Sequence, residues 1–186
     1  ARRTGVMRIP NSAARRAGAL AALFLAFAAV AAPPADFTVT APADGKTFRL
    51  ADAKGKYVAL HFLLKTECPV CLRHTAEHAK LAAAQPDVVH VFLKPDSAEE
   101  IKGWTARLEP GTAPTIYRDP DAKLAKAFAI PDGYAFHGEM VHYPALVLLD
   151  PAGKEVFRYV GRNNGDRCST EKLAAKLAEL KQAAAK

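Results

Sequence analysis

The amino-acid sequence predicts an α/β fold: a mixed central sheet flanked by helices on both faces, with an N-terminal β-hairpin extension. Three observations lead there. Tyr57 to Leu64 is an apolar run broken only by His61, the pattern of a strand buried on both faces of a sheet. A second such run, Val88 to Leu93, alternates with segments of helical periodicity. Ala145 to Leu149 and Glu155 to Val160, joined at Asp150-Pro151-Ala152-Gly153, read as an antiparallel hairpin. Strands that alternate with helices and then close with a hairpin imply a mixed sheet covered on both sides.

In chain order, residues 1–31 read as a secretory signal: Arg2, Arg3, Arg8, Arg15 and Arg16 precede an apolar or small run from Ala17, and Ala29-Val30-Ala31 offers a small-x-small cleavage pattern. Met7 is a candidate start, and an uncleaved membrane anchor is the competing reading. Residues 32–36 form a Pro/Ala tether, and 37–184 are read as one domain. Phe37 to Thr40 and Thr47 to Leu50 flank Asp44-Gly45 as a hairpin. After Leu64 the chain turns at Thr66 to Pro69. Pro69 suits the first position of a helix, and Leu72, Ala76, Ala79 and Leu81 supply an apolar stripe that ends before Pro86. Ser97-Ala98-Glu99-Glu100 is a capping box opening a helix to about Leu108, with Trp104 as a core residue. Asp119-Pro120-Asp121 starts a short helix with Leu124, Ala125 and Phe128. Pro131 to His142 reads as an irregular specificity loop. Ser169 or Thr170 caps a last helix with Leu173, Leu177 and Leu180 at helical spacing.

Charge excludes one class of partner. The chain has 26 basic and 19 acidic residues, but the leader holds five of the basic ones and none of the acidic ones, so 21 against 19 leaves a net charge of +2. No cluster of Lys and Arg with interleaved aromatics remains, and nucleic acid is not an expected partner. A membrane is one only if the leader stays attached.

The chemistry is expected from Thr66-Glu67-Cys68-Pro69-Val70-Cys71. Disulfide exchange needs an exposed, stabilised thiolate and a second thiol that can release the mixed disulfide. Residues three apart at a helix start have β-carbons roughly 5 to 6 Å apart, close to disulfide geometry. Cys68 would stand where unpaired N–H groups favour a thiolate, as the attacking sulfur, with Cys71 resolving. A structural disulfide, or half of a zinc site, is the alternative. With no second Cys-x-x-Cys, zinc has little support. Glu67 opposes ionisation of Cys68, while Lys65 and the helix terminus favour it. Cys168 is either an inert thiol or a third redox partner.

The segment Tyr57 to Cys71, together with Tyr143-Pro144-Ala145-Leu146 and Leu148-Leu149-Asp150-Pro151-Ala152-Gly153-Lys154, resembles the thioredoxin superfamily: its exported thiol-disulfide reductases and the related peroxiredoxin (redoxin) group. The resemblance covers roughly Asp36 to Leu180 and implies a thioredoxin-like fold, a redox-active Cys68–Cys71 disulfide with no other cofactor, and protein thiols or disulfides as partners. It implies a cis peptide bond before Pro144 and a substrate groove lined by Pro69, Tyr143 and Pro144. The family usually carries Trp where this chain has Glu67. Peroxiredoxins offer a second alignment, in which Cys71 is peroxidatic, Cys68 resolving, Arg167 polarises peroxide and peroxide is the substrate; that motif's proline falls at Leu64 and its threonine at Cys68.

Cys71, His74 and His78 share one helix face, and His137, Met140 and His142 precede Pro144, a donor set that suits copper. Thioredoxin-fold copper chaperones are similar in placing a histidine near His142, but separate their cysteines by three residues. The plainer expectation leaves His74 and His78 as surface residues and assigns no metal ligand. His61 is expected as a hydrogen-bonded core residue, with a proton shuttle beneath the dithiol as the alternative. A binding-only module with a static Cys68–Cys71 bond is the remaining class.

Overall fold

The computed structural model describes residues 34–65, 69–109, 111, 113–136 and 138–185. The proposed leader, most of the junction to the tether, Thr66, Glu67, Cys68 and His137 lie outside these residues. Among those described, no helix is long and apolar enough to cross a membrane.

Among the described residues, nine strands and four α-helices follow one another as β1 (Thr38–Thr40), β2 (Thr47–Arg49), β3 (Tyr57–Phe62), α1 (Pro69–Ala84), β4 (Val88–Lys94), α2 (Ala98–Thr105), β5 (Ile116–Arg118), α3 (Lys123–Ala127), β6 (Asp132–Phe136), β7 (Glu139–His142), β8 (Ala145–Leu149), β9 (Glu155–Val160) and α4 (Thr170–Ala184). Seven strands form one sheet in the order β2-β1-β5-β4-β3-β8-β9. The strands β3, β4 and β5 run parallel, while β8, β9 and the β1–β2 hairpin are antiparallel to their neighbours. This is the mixed, thioredoxin-like sheet expected from the sequence.

Alternation along the central strands sorts the core. Val58, Leu60 and Phe62 of β3 join Val91, Leu93, Val147 and Leu149 in a cluster with Leu124, Ala125 and Phe128 of the α3 region. On the opposite face Ala59, Leu146 and Leu148 pack against Leu173 and Leu177 of α4. Burying each such Leu or Val contributes about 1.5–3 kcal/mol. The capping box is present: Ser97 Oγ accepts from the Glu100 N–H, and Glu100 accepts from the Ser97 N–H. Asp119 caps α3 from a distance, its carboxylate accepting from the N–H groups of Leu124 (2.8 Å) and Ala125 (3.0 Å).

Two expectations need correction. The segment Pro131 to His142 is not an irregular loop but the hairpin β6–β7, whose turn places Gly138 at a φ of 82°. It is anchored by Val141, buried beside Leu63 and Leu64, and by an ion pair from Lys65 to Glu139. The inward face of α1 is also not the apolar stripe: Cys71, His74, Thr75 and His78 are buried, while Leu72, Ala76, Ala79 and Leu81 are only half-buried. The sheet beneath presents His61 and His90 to this helix, so the helix has turned its polar face inward.

Candidate active site

Pro69 opens α1, where its missing N–H leaves no intrahelical bond unmade. Cys71 follows two residues later, fully buried among Leu63, Leu64, Phe92, Ile101, Trp104 and Val141. Into this apolar surrounding reaches a guanidinium: Arg167 Nη2 donates to Cys71 Sγ at 3.1 Å. A guanidinium against a sulfur stabilises negative charge that develops on it, the more so where water is excluded.

The loop between β9 and α4 holds that arginine in place. Asn163 Oδ1 accepts from the N–H groups of Gly165 (2.9 Å) and Asp166 (3.0 Å). The Asp166 carboxylate accepts from the Tyr159 hydroxyl (2.5 Å) and from the Arg162 N–H and Nε (3.0 and 2.9 Å), bonds that hold its pKa down to about 2. Gly161 admits this crowding. A β-carbon there would stand 2.3 Å from the Asp166 carbonyl oxygen and 2.8 Å from Pro144 Cγ. The loop carrying Arg167 is therefore packed directly on the predicted substrate-groove proline.

The Tyr143–Pro144 bond is not the cis bond that the resemblance implied; among the described residues no peptide bond is cis. The trans link is held from both ends, by the Tyr143 N–H donating to Pro131 O (3.0 Å) and the Gly161 N–H donating to Pro144 O (2.8 Å). Tyr143 is half-buried, and Pro144 is buried behind Gly161. Lys65, expected to act on Cys68, is engaged with Glu139, which raises its pKa. Glu67 and Cys68 belong to the part of the motif outside the described residues. Cys168 is buried, and burial pushes its thiol up to about 11, which disfavours the thiolate that a redox partner needs.

The histidines are placed differently from expectation. His74 and His78 are not surface residues; they lie buried over the sheet with His61 and the half-buried His90. His61 Nδ1 is 3.4 Å from His74 Nε2, and His61 Nε2 is 3.1 Å from His90 Nδ1. Burial lowers all four pKa values, with repulsion from neighbouring rings adding to it for His61, His74 and His90: His61 falls well below the ordinary range, His74 to about 2 and His90 to about 4, while in His78 the bond to a carbonyl opposes the lowering. His142 does not join them. It packs edge-on to Phe62, which points to the opposite face of the sheet from His61, and its Nδ1 donates to the Tyr143 carbonyl at 2.7 Å. The copper set combining His74, His78 and His142 is thus divided by the sheet, and Met140 is exposed. His90 escaped the sequence reading; the only trace was its two-residue spacing from Phe92 on a buried strand.

Lys94 also escaped it. At the end of β4 it is fully buried, donating to the Leu64 carbonyl, 3.5 Å from Asp96 and 4.5 Å above the Trp104 ring. It fixes the chain just before the cysteine motif.

The geometry has clear relatives. The exposed lipoprotein thioredoxin Etrx1 of Streptococcus pneumoniae superposes with a TM-score of 0.63 at 26% identity, covering 78% of this chain and 99% of that one. A secreted Mycobacterium tuberculosis disulfide oxidoreductase homologous to E. coli DsbE does so at 0.57 and 22%, covering 77% and 95%. The bacterioferritin comigratory protein of Xanthomonas campestris, described for alkyl peroxide reduction, does so at 0.60 and 18%, covering 80% and 92%. No curated protein sequence matches the chain. The sequence pattern of the AhpC/TSA family matches residues 30–156, from the end of the proposed leader to the start of β9, and with this sheet around a cysteine at the start of α1 the chain belongs to the AhpC/TSA family of redoxins.

Proposed function

We propose that the protein is an exported thiol-disulfide oxidoreductase acting on partner proteins through Cys68 and Cys71. The observation that carries this reading is the complete burial of Cys71 against Arg167 at the head of α1. A resolving thiol has to be shielded from the partner and stabilised as its charge develops; burial of Cys71 supports the first and the Arg167 guanidinium the second. In the reducing direction the Cys68 thiolate attacks one sulfur of the partner disulfide. That S–S bond breaks, and the released partner thiolate takes a proton. Cys71 then gives up its proton and attacks the Cys68 sulfur, and the second partner thiol leaves. The partner has gained two electrons and the pair is left as a disulfide. Arg167 stabilises the Cys71 thiolate in the second step. Pro69, Tyr143 and Pro144 would line the approach, and the β6–β7 hairpin, with Met140 exposed at 62%, would supply partner contacts.

The Arg167–Cys71 contact also favours a second reading, a thiol peroxidase. There Cys71 attacks one peroxide oxygen, the O–O bond breaks, and the leaving oxygen departs as water or alcohol. The Cys71 sulfenic acid then condenses with Cys68, releasing water and forming the disulfide.

Mass spectrometry of the reduced protein separates the two. Trapping of a partner disulfide on Cys68 in a Cys71→Ser variant supports exchange. Fast oxidation of Cys71 by hydrogen peroxide, retained in a Cys68→Ser variant, replaces it with the peroxidase.

A further inference from the structure

A second chemical site lies one to two turns down α1 from Cys71, in the histidine cluster between that helix and the sheet. Ring nitrogens of His61, His78 and His90, one from each, lie within 4.8 Å of one another. The hydrogen bonding assigns one ligand atom directly. His78 Nε2 stands 3.0 Å from the Cys168 carbonyl, which can only accept, so Nε2 carries the proton and Nδ1 carries the lone pair. That Nδ1 is buried and has no hydrogen-bond partner. A buried ring nitrogen left unpaired is costly, and a core hydrogen-bond network has no reason to leave its lone pair without a partner.

We propose that His61, His78 and His90 bind a divalent late first-row transition ion, Zn²⁺ or Cu²⁺, between β3, β4 and α1. Three neutral imidazoles without carboxylate or thiolate suit these borderline ions, whereas Mg²⁺ and Ca²⁺ require oxygen donors. A tetrahedral ion with bonds of roughly 2.0–2.1 Å sets its nitrogens about 3.3 Å apart. His61 Nε2 and His90 Nδ1, 3.1 Å apart, already meet that spacing, so Nδ1 is the nitrogen that His90 presents to the ion. The Cys168 carbonyl on His78 Nε2 is the outer partner that orients a ligating imidazole. His74, with its Nε2 3.4 Å from His61, stands between the triad and solvent. It borders a cleft of about 300 Å³ also lined by Arg73, Glu77, Arg167 and Ser169, which gives an ion a way in. The site does not depend on the redox reading, since none of its ligands is a cysteine.

The test uses the full chain, stripped with chelator and titrated with Co²⁺, then Zn²⁺ and Cu²⁺ under chelator competition. One equivalent should bind, with the visible ligand-field bands of a nitrogen-ligated tetrahedral Co²⁺ and no thiolate charge-transfer band. His90→Gln and His78→Gln should each weaken binding by roughly 10–100-fold or more, whereas His142→Gln should leave it unchanged. X-ray absorption on the unmutated zinc form, which needs no variant to fold, should show at least three imidazole nitrogens. Absence of one-equivalent binding, equal binding by His90→Gln, or a thiolate band that disappears in Cys71→Ser would overturn the proposal.

Discussion

The Tyr159 hydroxyl and the Asp166 carboxylate meet at 2.5 Å, and this bond ties the end of β9 to the loop that presents Arg167. Tyr159→Phe removes it and should lower stability by about 1 kcal/mol. Asp166→Ala also frees the Arg162 bonds and should let Arg167 drift from Cys71. In both variants Cys71 should react more slowly with a thiol reagent, Asp166→Ala the more so. Because the Asp166 pKa is lowered to about 2, the loop's contribution is complete above its ordinary value near 3.8 and is lost as pH falls towards 2.

Gly161→Ala should be more damaging than its size suggests. The new methyl would have to displace the Asp166 backbone or the Pro144 ring, and overpacking of this kind costs about 1–3 kcal/mol. A thermal melt should show the loss, together with slower Cys71 modification. An unchanged melt would mean that the loop can slide without strain.

The buried histidines predict acid lability. His61, His74, His78, His90 and His142 all have folded-state pKa values below the ordinary 6.5, so the unfolded chain binds protons that the folded chain refuses. Stability is therefore fully present above 6.5 and falls below it, over a window reaching about 4 for His90 and about 2 for His74. Each proton taken up on unfolding steepens the fall by roughly 1.4 kcal/mol per pH unit. Urea titrations of the metal-free protein at pH 7, 6 and 5 should show midpoints that drop progressively.

Lys94 and Asp96 form a buried pair beside Trp104. Asp96→Leu alone should destabilise by about 3–5 kcal/mol, because it removes a carboxylate 3.5 Å from a fully buried lysine charge. Adding Lys94→Met should restore part of that loss. Trp104 is the only tryptophan of the chain, so its fluorescence reports the lysine directly.

Where local signals were self-sufficient, the sequence was readable. The Ser97–Glu100 box and the Asp150–Gly153 turn are complete within four residues and appear as expected. The strand β5 has three residues and no pattern of its own; it exists because β4 and β1 bond it from either side. The face of α1 was misjudged because periodicity identifies an apolar stripe but not what the sheet below offers, and here the sheet offers imidazoles. Arg167 was visible only through family resemblance, since ninety-six positions separate it from Cys71. Glu139 of the hairpin β6–β7 reaches Lys65 across a gap of seventy-four, which no local window contains.

The order of the sheet also dictates a timetable. The strand β3 takes one neighbour, β4, soon after α1, but its other neighbour is β8, with Val58 opposite Leu149. A ribosome must deliver every residue from β3 through β8 before the middle of the sheet can close. Until then, one edge of an apolar strand stands open to wrong pairing. Contacts so distant along the chain make folding slow, and a nascent chain of this kind gains from being held unfolded until its C-terminal hairpin arrives.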